Sequence, residues 1–165
     1  MRDKTLILNE EDITLRIRRM AWELFEKHQN QKELIIAGVY FRGFELAKRL
    51  AKRLQEICDL KISLAELHID KEKPFGQTTE VKGLKEDFEG KCIVVVDDVL
   101  NSGKTMINAL QPFLIKRVYS ITTAVLVDRN HNRFPIKADI IGLSLATTLQ
   151  EHVDVQLENE SVYLT

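Results

Sequence analysis

Two carboxylates stand side by side at Asp97 and Asp98, directly after the apolar run Cys92-Ile93-Val94-Val95-Val96. After Val99 and Leu100, the segment Asn101-Ser102-Gly103-Lys104-Thr105 opens a helical pattern. The two halves of this stretch suit opposite partners. Backbone amides at a helix start, with Gly103 and the Ser102 and Thr105 hydroxyls beside them, can hold a phosphate dianion at the positive end of the helix. Acidic side chains repel such a phosphate, so Asp97 and Asp98 must serve another part of a ligand. Ribose hydroxyls donate to carboxylates, and a phosphorylated ribose meets both demands. The Gly103-Lys104-Thr105 triplet also invites comparison with the nucleoside triphosphate loop G-x-x-x-x-G-K-[ST], but Asp98 stands where that cradle needs its first glycine. This argues against an ATPase or GTPase. The plainer alternative is that the two acids merely solvate a strand end; it leaves the shared register of apolar strand, double acid and Ser-Gly-x-Thr turn without a reason.

The elements around this segment must bring it to a sheet edge. Ile13, Ile17, Met20, Ala21, Leu24 and Phe25 recur at helical spacing after Asn9, which can cap the helix, while Asp12 suits its first turn. Residues 34–39 form a short apolar run that reads as a buried strand, and Phe44, Ala47, Ala51, Leu54 and Cys58 continue it with a helical pattern. Residues 61–69 and 92–96 read as strands, 106–114 as a helix with Pro112 near its end, and 120–127 as a further buried strand. Apolar strands alternating with helices predict an α/β, doubly wound and mainly parallel sheet, with ligands at the strands' carboxyl ends. Residues 70–90 carry Pro74, Gly76, Gly83, Gly90 and four lysines, which predicts a basic flap rather than an ordinary connection. From residue 129 onward only short strand fragments are visible, around Pro135, residues 140–142 and residues 153–155. They suggest a small C-terminal lid.

Composition narrows the partners. With 165 residues, 44% of them hydrophobic, the chain has material for one sizeable core, so residues 1–165 are expected to form a single domain. A formal charge of −1 makes the whole molecule no electrostatic match for nucleic acid or an acidic membrane, and any RNA contact needs a local basic patch. Cys58 and Cys92 lack metal-ligand spacing and read as buried free thiols. No apolar run approaches membrane-spanning length and no signal-peptide core follows the start, so a cytoplasmic protein is expected.

The 96–105 segment resembles the ribose-phosphate loop of type I phosphoribosyltransferases. Within that superfamily the chain is most similar to the bifunctional pyrimidine-operon attenuator/uracil phosphoribosyltransferase family. The resemblance is carried by Ile7-Leu8-Asn9-Glu10, Arg19-Met20-Ala21, Arg42-Gly43 with residues 46–50, Val81-Lys82-Gly83, residues 124–131 and residues 135–139. It implies the type I phosphoribosyltransferase fold with a flexible flap and a hood. It also implies transfer of the phosphoribosyl group of 5-phosphoribosyl-1-pyrophosphate (PRPP) to a nucleobase, with uracil giving uridine monophosphate (UMP) and pyrophosphate in pyrimidine salvage. Asp97 and Asp98 would hold the ribose, residues 99–105 the 5-phosphate, and Arg42 with Gly43 the pyrophosphate. Magnesium (Mg2+) would be held mainly by the substrate, with no direct side-chain ligand. Val127, Asp128 and Arg129 fall where the base is expected, and residues 142–148 resemble the hood above it. A homodimer or higher homo-oligomer is the usual assembly.

The chain departs from the family in two loops. Tyr40-Phe41 replaces Lys-Thr before Arg42, removing a hydroxyl and a charge, and Glu72-Lys73-Pro74-Phe75 matches the family's Tyr-Arg-Asp-Asp stretch only loosely. Lys71, Lys73 or Lys82 could stand in for the missing arginine, or belong to a solvated charge run. Arg42 itself could be a clamp or a solvated helix-start residue. His131 could contact the base, contact RNA or sit exposed in a loop, and the exposed reading is the commoner one. The competing function is a nucleotide-sensing RNA-binding regulator with weak or no catalysis. Arg18, Arg19, His131 and Lys137, with Arg16 and Arg133, would form its basic surface, although Leu143 stands where the family has a lysine. A purine as acceptor stays open, because base choice rests on backbone geometry.

Overall fold

A computed structural model of the chain describes residues 4–70 and 79–165. Its elements in chain order are β1 (Thr5–Leu8), α1 (Glu10–His28), β2 (Glu33–Val39), α2 (Arg42–Ile57), β3 (Lys61–Ile69), β4 (Thr79–Lys82) and β5 (Cys92–Leu100). They continue with α3 (Lys104–Leu114), β6 (Ser120–Asp128), β7 (Ile140–Ser144), β8 (Val153–Gln156), a 3-10 turn (Leu157–Asn159) and β9 (Ser161–Leu164). The start of α1 follows from its residues: the Asn9 side chain accepts from the Asp12 amide at 2.9 Å, and the Asp12 carboxylate accepts from the Asn9 amide at 3.2 Å. This reciprocal pair satisfies two amides that a helix start otherwise leaves unpaired.

Six strands form the main sheet in the order β4-β3-β2-β5-β6-β7, and every neighbouring pair is parallel except β3 with β4. Successive residues serve opposite faces. Leu34, Ile36, Val94, Val96 and Leu126 pack with Met20, Leu24, Leu46 and Leu50 of α1 and α2. Ile35, Ala37, Ile93, Val95 and Val125 pack with Met106, Ala109 and Phe113 of α3. Fully burying each large apolar side chain is worth about 1.5–3 kcal/mol, and a one-residue slip would exchange the two sets, so this pattern fixes the register. The chain runs outward from β2 through α2 to β3, and in the other direction from β5 through α3 to β6. The strand order therefore reverses between β2 and β5, and the carboxyl ends of those strands open a crevice, the usual ligand position in such sheets.

Several elements differ from the sequence reading. The polar 70–90 stretch contains β4, which pairs antiparallel with β3 from Glu66↔Lys82 to Ile69↔Thr79; Pro74 and Gly76 of the expected flap lie outside the described residues. β5 runs on to Leu100, so Asp97 and Asp98 sit in the strand and not after it. The hood is a separate antiparallel sheet, β1-β9-β8, built from both ends of the described chain. Residues 142–144, expected in the hood, belong to β7 of the main sheet instead. Cys92 is buried, but Cys58, at the end of α2, is only half-buried, because its helix ends near the surface. No helix among the described residues is long and apolar enough to cross a membrane.

Candidate active site

The crevice is an open cleft of about 400 Å³ lined by Val39, Tyr40, Phe41, Arg42, Asp97, Asp98, Val99 and Thr105. Three consequences of local sequence build it. First, α2 begins against β5: a Cβ at Gly43 would lie 2.7 Å from the Val96 carbonyl oxygen and 3.0 Å from the Asp97 Cα. Only glycine lets Arg42 and the carboxylates share one edge. Second, the two acids are oriented by their own backbone. Asp97 Oδ1 accepts from the Asp98 amide at 2.9 Å, and Asp98 Oδ1 accepts from the Val99 amide at 2.9 Å. Asp97 is 8% exposed and Asp98 half-buried at the cleft wall.

Third, α3 starts unlike α1. Its N-cap is Gly103 at φ 87°, with no side-chain cap hydrogen bond and no acid in the first turn. The Lys104 amide reaches Ser102 Oγ at only 3.3 Å. By contrast α1 opens with Glu10, Glu11, Asp12 and a closed capping box. Helix starts carry partial positive charge and unpaired amides, so the bare start of α3 is fitted to an external anion where that of α1 is already satisfied. Gly103 is also closed from behind: a Cβ there would lie 2.5 Å from Ile136 Cγ2, and the Ser102 carbonyl accepts from the Arg133 and Phe134 amides at 2.9 and 3.1 Å. The 133–136 segment thus backs the loop.

Arg42, exposed on one side, places Nη1 3.0 Å from Asp154 Oδ1 and 4.0 Å from Asp98 Oδ2. Asp154 lies on β8, and sequence reading passed over it as part of a strand fragment. The alternation Val153-Asp154-Val155, which turns one acid to the face opposite two valines, was the available signal. Tyr40 and Phe41 are exposed, joined by a cis peptide, and Tyr40 stacks on His68 with centroids 4.6 Å apart.

The residues expected around the base do not line this cleft. Val127 is wholly buried in the core. Asp128 is buried and its Oδ1 accepts from the Asn130 amide at 2.8 Å. Arg129, 3% exposed, turns its guanidinium to Thr147 Oγ1 at 3.0 Å, Asn101 Oδ1 at 3.2 Å, the Thr148 carbonyl at 3.2 Å and the Glu151 carbonyl. It ties Asn101, before the start of α3, to residues 147–151. His131 is half-buried and not loop-exposed: Nε2 bonds the Thr147 carbonyl, and Nδ1 faces Arg129 Nη2 at 3.5 Å. The Thr148 amide donates to Glu151 Oε2 at 2.6 Å, and this bond, then the Thr148 hydroxyl and Arg129, hold the Glu151 carboxyl below its usual range.

Of the basic residues assigned to an RNA surface, Arg19 spends its guanidinium on Glu23 and on the Ile141 and Gly142 carbonyls at 2.8 and 2.7 Å. Arg16 reaches the Gly142 carbonyl at 3.4 Å. Arg18, Arg133 and Lys137 are exposed. Lys82 pairs with Glu80 at 3.4 Å, whereas Lys71 and the 72–75 segment with Lys73 lie outside the described residues. Among the described residues no group of three or more His, Cys, Asp or Glu side chains could hold a metal ion. What the cleft offers is the hard oxygens of Asp97 and Asp98, a donor set that fits a hydrated magnesium held chiefly by a ligand.

The family model for the phosphoribosyl transferase domain matches residues 5–160. A bifunctional protein PyrR of Bacillus pumilus is 39% identical over 166 residues, covering 95% of this chain and 92% of that protein. The chain belongs to the PyrR family of phosphoribosyltransferases. A second PyrR, from Bacillus subtilis, is 35% identical and covers 96% of this chain and 92% of its own length. Among solved structures, the hypoxanthine phosphoribosyltransferase of Trypanosoma cruzi superposes with a TM-score of 0.82 at 16% identity, covering 97% of this chain and 95% of that one. That likeness shows the shared type I fold. In this PyrR family member the cleft, the acid pair and the bare helix start meet at the switch point of that fold.

Proposed function

We propose that this cleft binds PRPP and transfers its phosphoribosyl group to uracil, giving UMP and pyrophosphate, with residues 1–165 acting as one cytoplasmic domain in a homo-oligomer. The observation that carries the reading is the meeting of two ligand-specific surfaces: a carboxylate pair on β5 and, a few residues on, an acid-free, uncapped start of α3. The 5-phosphate takes the amides and hydroxyls of residues 99–105. Asp97 and Asp98 accept from the ribose hydroxyls and face the positive charge that develops on the sugar ring. Arg42 and Gly43 meet the pyrophosphate. A nitrogen of the base bonds to the anomeric carbon as the bond to the pyrophosphate oxygen breaks, and the nitrogen's proton leaves. No protein nucleophile is needed, so the residues act by positioning and charge. Magnesium, when bound with the substrate, neutralises the leaving pyrophosphate.

Residues 143–145 run beside the end of β6 and Arg129 holds residues 147–151 to it, where the neutral side chains of Leu143, Ala146 and Thr147 suit an uncharged base. Uracil is the acceptor that the family resemblance implies. A second reading, regulation through RNA, is favoured by the word bifunctional in the relatives' names and by the exposure of Arg18, Arg133 and Lys137. The experiment is an assay of purified protein with PRPP, magnesium and each common nucleobase. UMP formation from uracil alone is expected. Turnover of hypoxanthine or guanine but not uracil would move the acceptor to a purine, and a blank with every base would favour the regulator.

A further inference from the structure

Among the described residues lining the cleft, Arg42 is the one cation, and it is already engaged by an acid that the reaction does not use. We infer that Asp154 is a built-in competitor for Arg42, which sets how the cleft ranks a pyrophosphate-bearing ligand against a nucleoside monophosphate. The inference rests on the phosphoribosyl site proposed above.

Asp154 is held at both oxygens. Oδ1 lies 3.0 Å from Arg42 Nη1, and Oδ2 accepts from Gln156 Nε2 at 2.6 Å on the same strand. Its side chain is 27% exposed and that of Arg42 42%, so the pair is partly shielded from water. Asp98 Oδ2, on β5, lies 4.0 Å from the same guanidinium nitrogen. Tyr40 and Phe41, beside Arg42, bring rings and no charge.

A pyrophosphate entering here must draw Arg42 away from Asp154. A nucleoside monophosphate sets its one phosphate at the start of α3 and makes no demand on Arg42. Asp154 therefore weakens the first ligand and spares the second. The same competition favours release of pyrophosphate after transfer. The rival role, in which Asp154 presents Arg42 to the pyrophosphate, predicts the opposite sign.

The test is calorimetry on the full chain with sodium pyrophosphate in a chelator and, separately, with UMP. Asp154→Asn, Asp154→Ala, Arg42→Ala and the Arg42→Ala/Asp154→Asn double variant are compared with wild type after their melting temperatures are matched. Both Asp154 variants should bind pyrophosphate about threefold to tenfold tighter, the scale of losing a partly shielded ion pair. UMP affinity should stay within about twofold, and the gain should vanish without Arg42. Equal or weaker pyrophosphate binding by the Asp154 variants, or a gain that persists without Arg42, overturns the inference. So does an absence of pyrophosphate binding in every variant while UMP binds. Failure of wild type to bind either UMP or pyrophosphate would instead remove the site reading beneath it.

Discussion

Replacing Arg129 by alanine should cost stability and affinity together, because one buried guanidinium joins the loop before α3, where the 5-phosphate is proposed to sit, to the 147–151 loop. Its four oxygen acceptors are Thr147 Oγ1, Asn101 Oδ1 and the carbonyls of Thr148 and Glu151. A hydrogen bond to a charged group contributes about 1.5–3 kcal/mol, but Asn101 and Thr148 are exposed and regain water when the arginine is gone. That leaves the equivalent of one or two bonds, about 2–4 kcal/mol. For a domain of this size the loss corresponds to a fall in Tm of about 6–12 °C. Thermal unfolding followed by circular dichroism measures it, and calorimetry should show UMP binding weakened about threefold to tenfold as Asn101 loses its anchor. Arg129→Lys should recover less than half of either effect, since an ammonium lacks the planar fork that reaches several acceptors. A Tm within about 1 °C of wild type in the alanine variant would refute the account of Arg129 as a structural tie.

Three further outcomes are expected. His28 is buried against Thr122 Oγ1 at 3.2 Å, and burial, then the charge of Lys27, holds its pKa below the ordinary 6.5. The unfolded chain therefore takes up the proton first, so stability should fall as pH drops through that value, and His28→Gln should flatten the Tm change between about pH 7.5 and pH 5.5. Gly103→Ala forces a side chain into φ 87° and against Ile136, which costs about 1–2 kcal/mol in backbone strain alone; UMP titration should show binding weakened at least about tenfold, and unchanged affinity would place the anion elsewhere. Arg19→Ala should lower Tm through loss of the Ile141 and Gly142 contacts, whereas Arg18→Ala should leave Tm unchanged and lower only a salt-sensitive RNA affinity, read by melting and by binding at two salt concentrations.

The main sheet was legible because its signals are local. Residues 34–39 and 92–96 are apolar runs of strand length, and the Asn9 to Asp12 spacing announces a helix start within four residues. The acid pair and the bare start of α3 are legible for the same reason, since both lie within the nine residues 97–105. What the sequence hid depends on distant pairing. β1 and β9 are four-residue strands from opposite ends of the chain, too short for periodicity to mark. β4 is a polar edge strand whose alternation carries little apolar contrast. Arg129 looks like any charged residue after a strand, and its oxygen acceptors lie 18 to 28 residues away. Asp154 likewise acquires its meaning only when the hood brings β8 to the start of α2.

The measurement that bears most directly on the account is a calorimetric titration of UMP into wild type and into the Asp97→Asn/Asp98→Asn variant. Asparagine keeps an oxygen for the Asp98 and Val99 amides, so the fold and its Tm should hold while the ribose loses its charged acceptors. Wild type should bind, and the variant should bind at least about tenfold more weakly. Equal affinity in a variant of unchanged Tm would contradict the assignment of the carboxylate pair to the ribose.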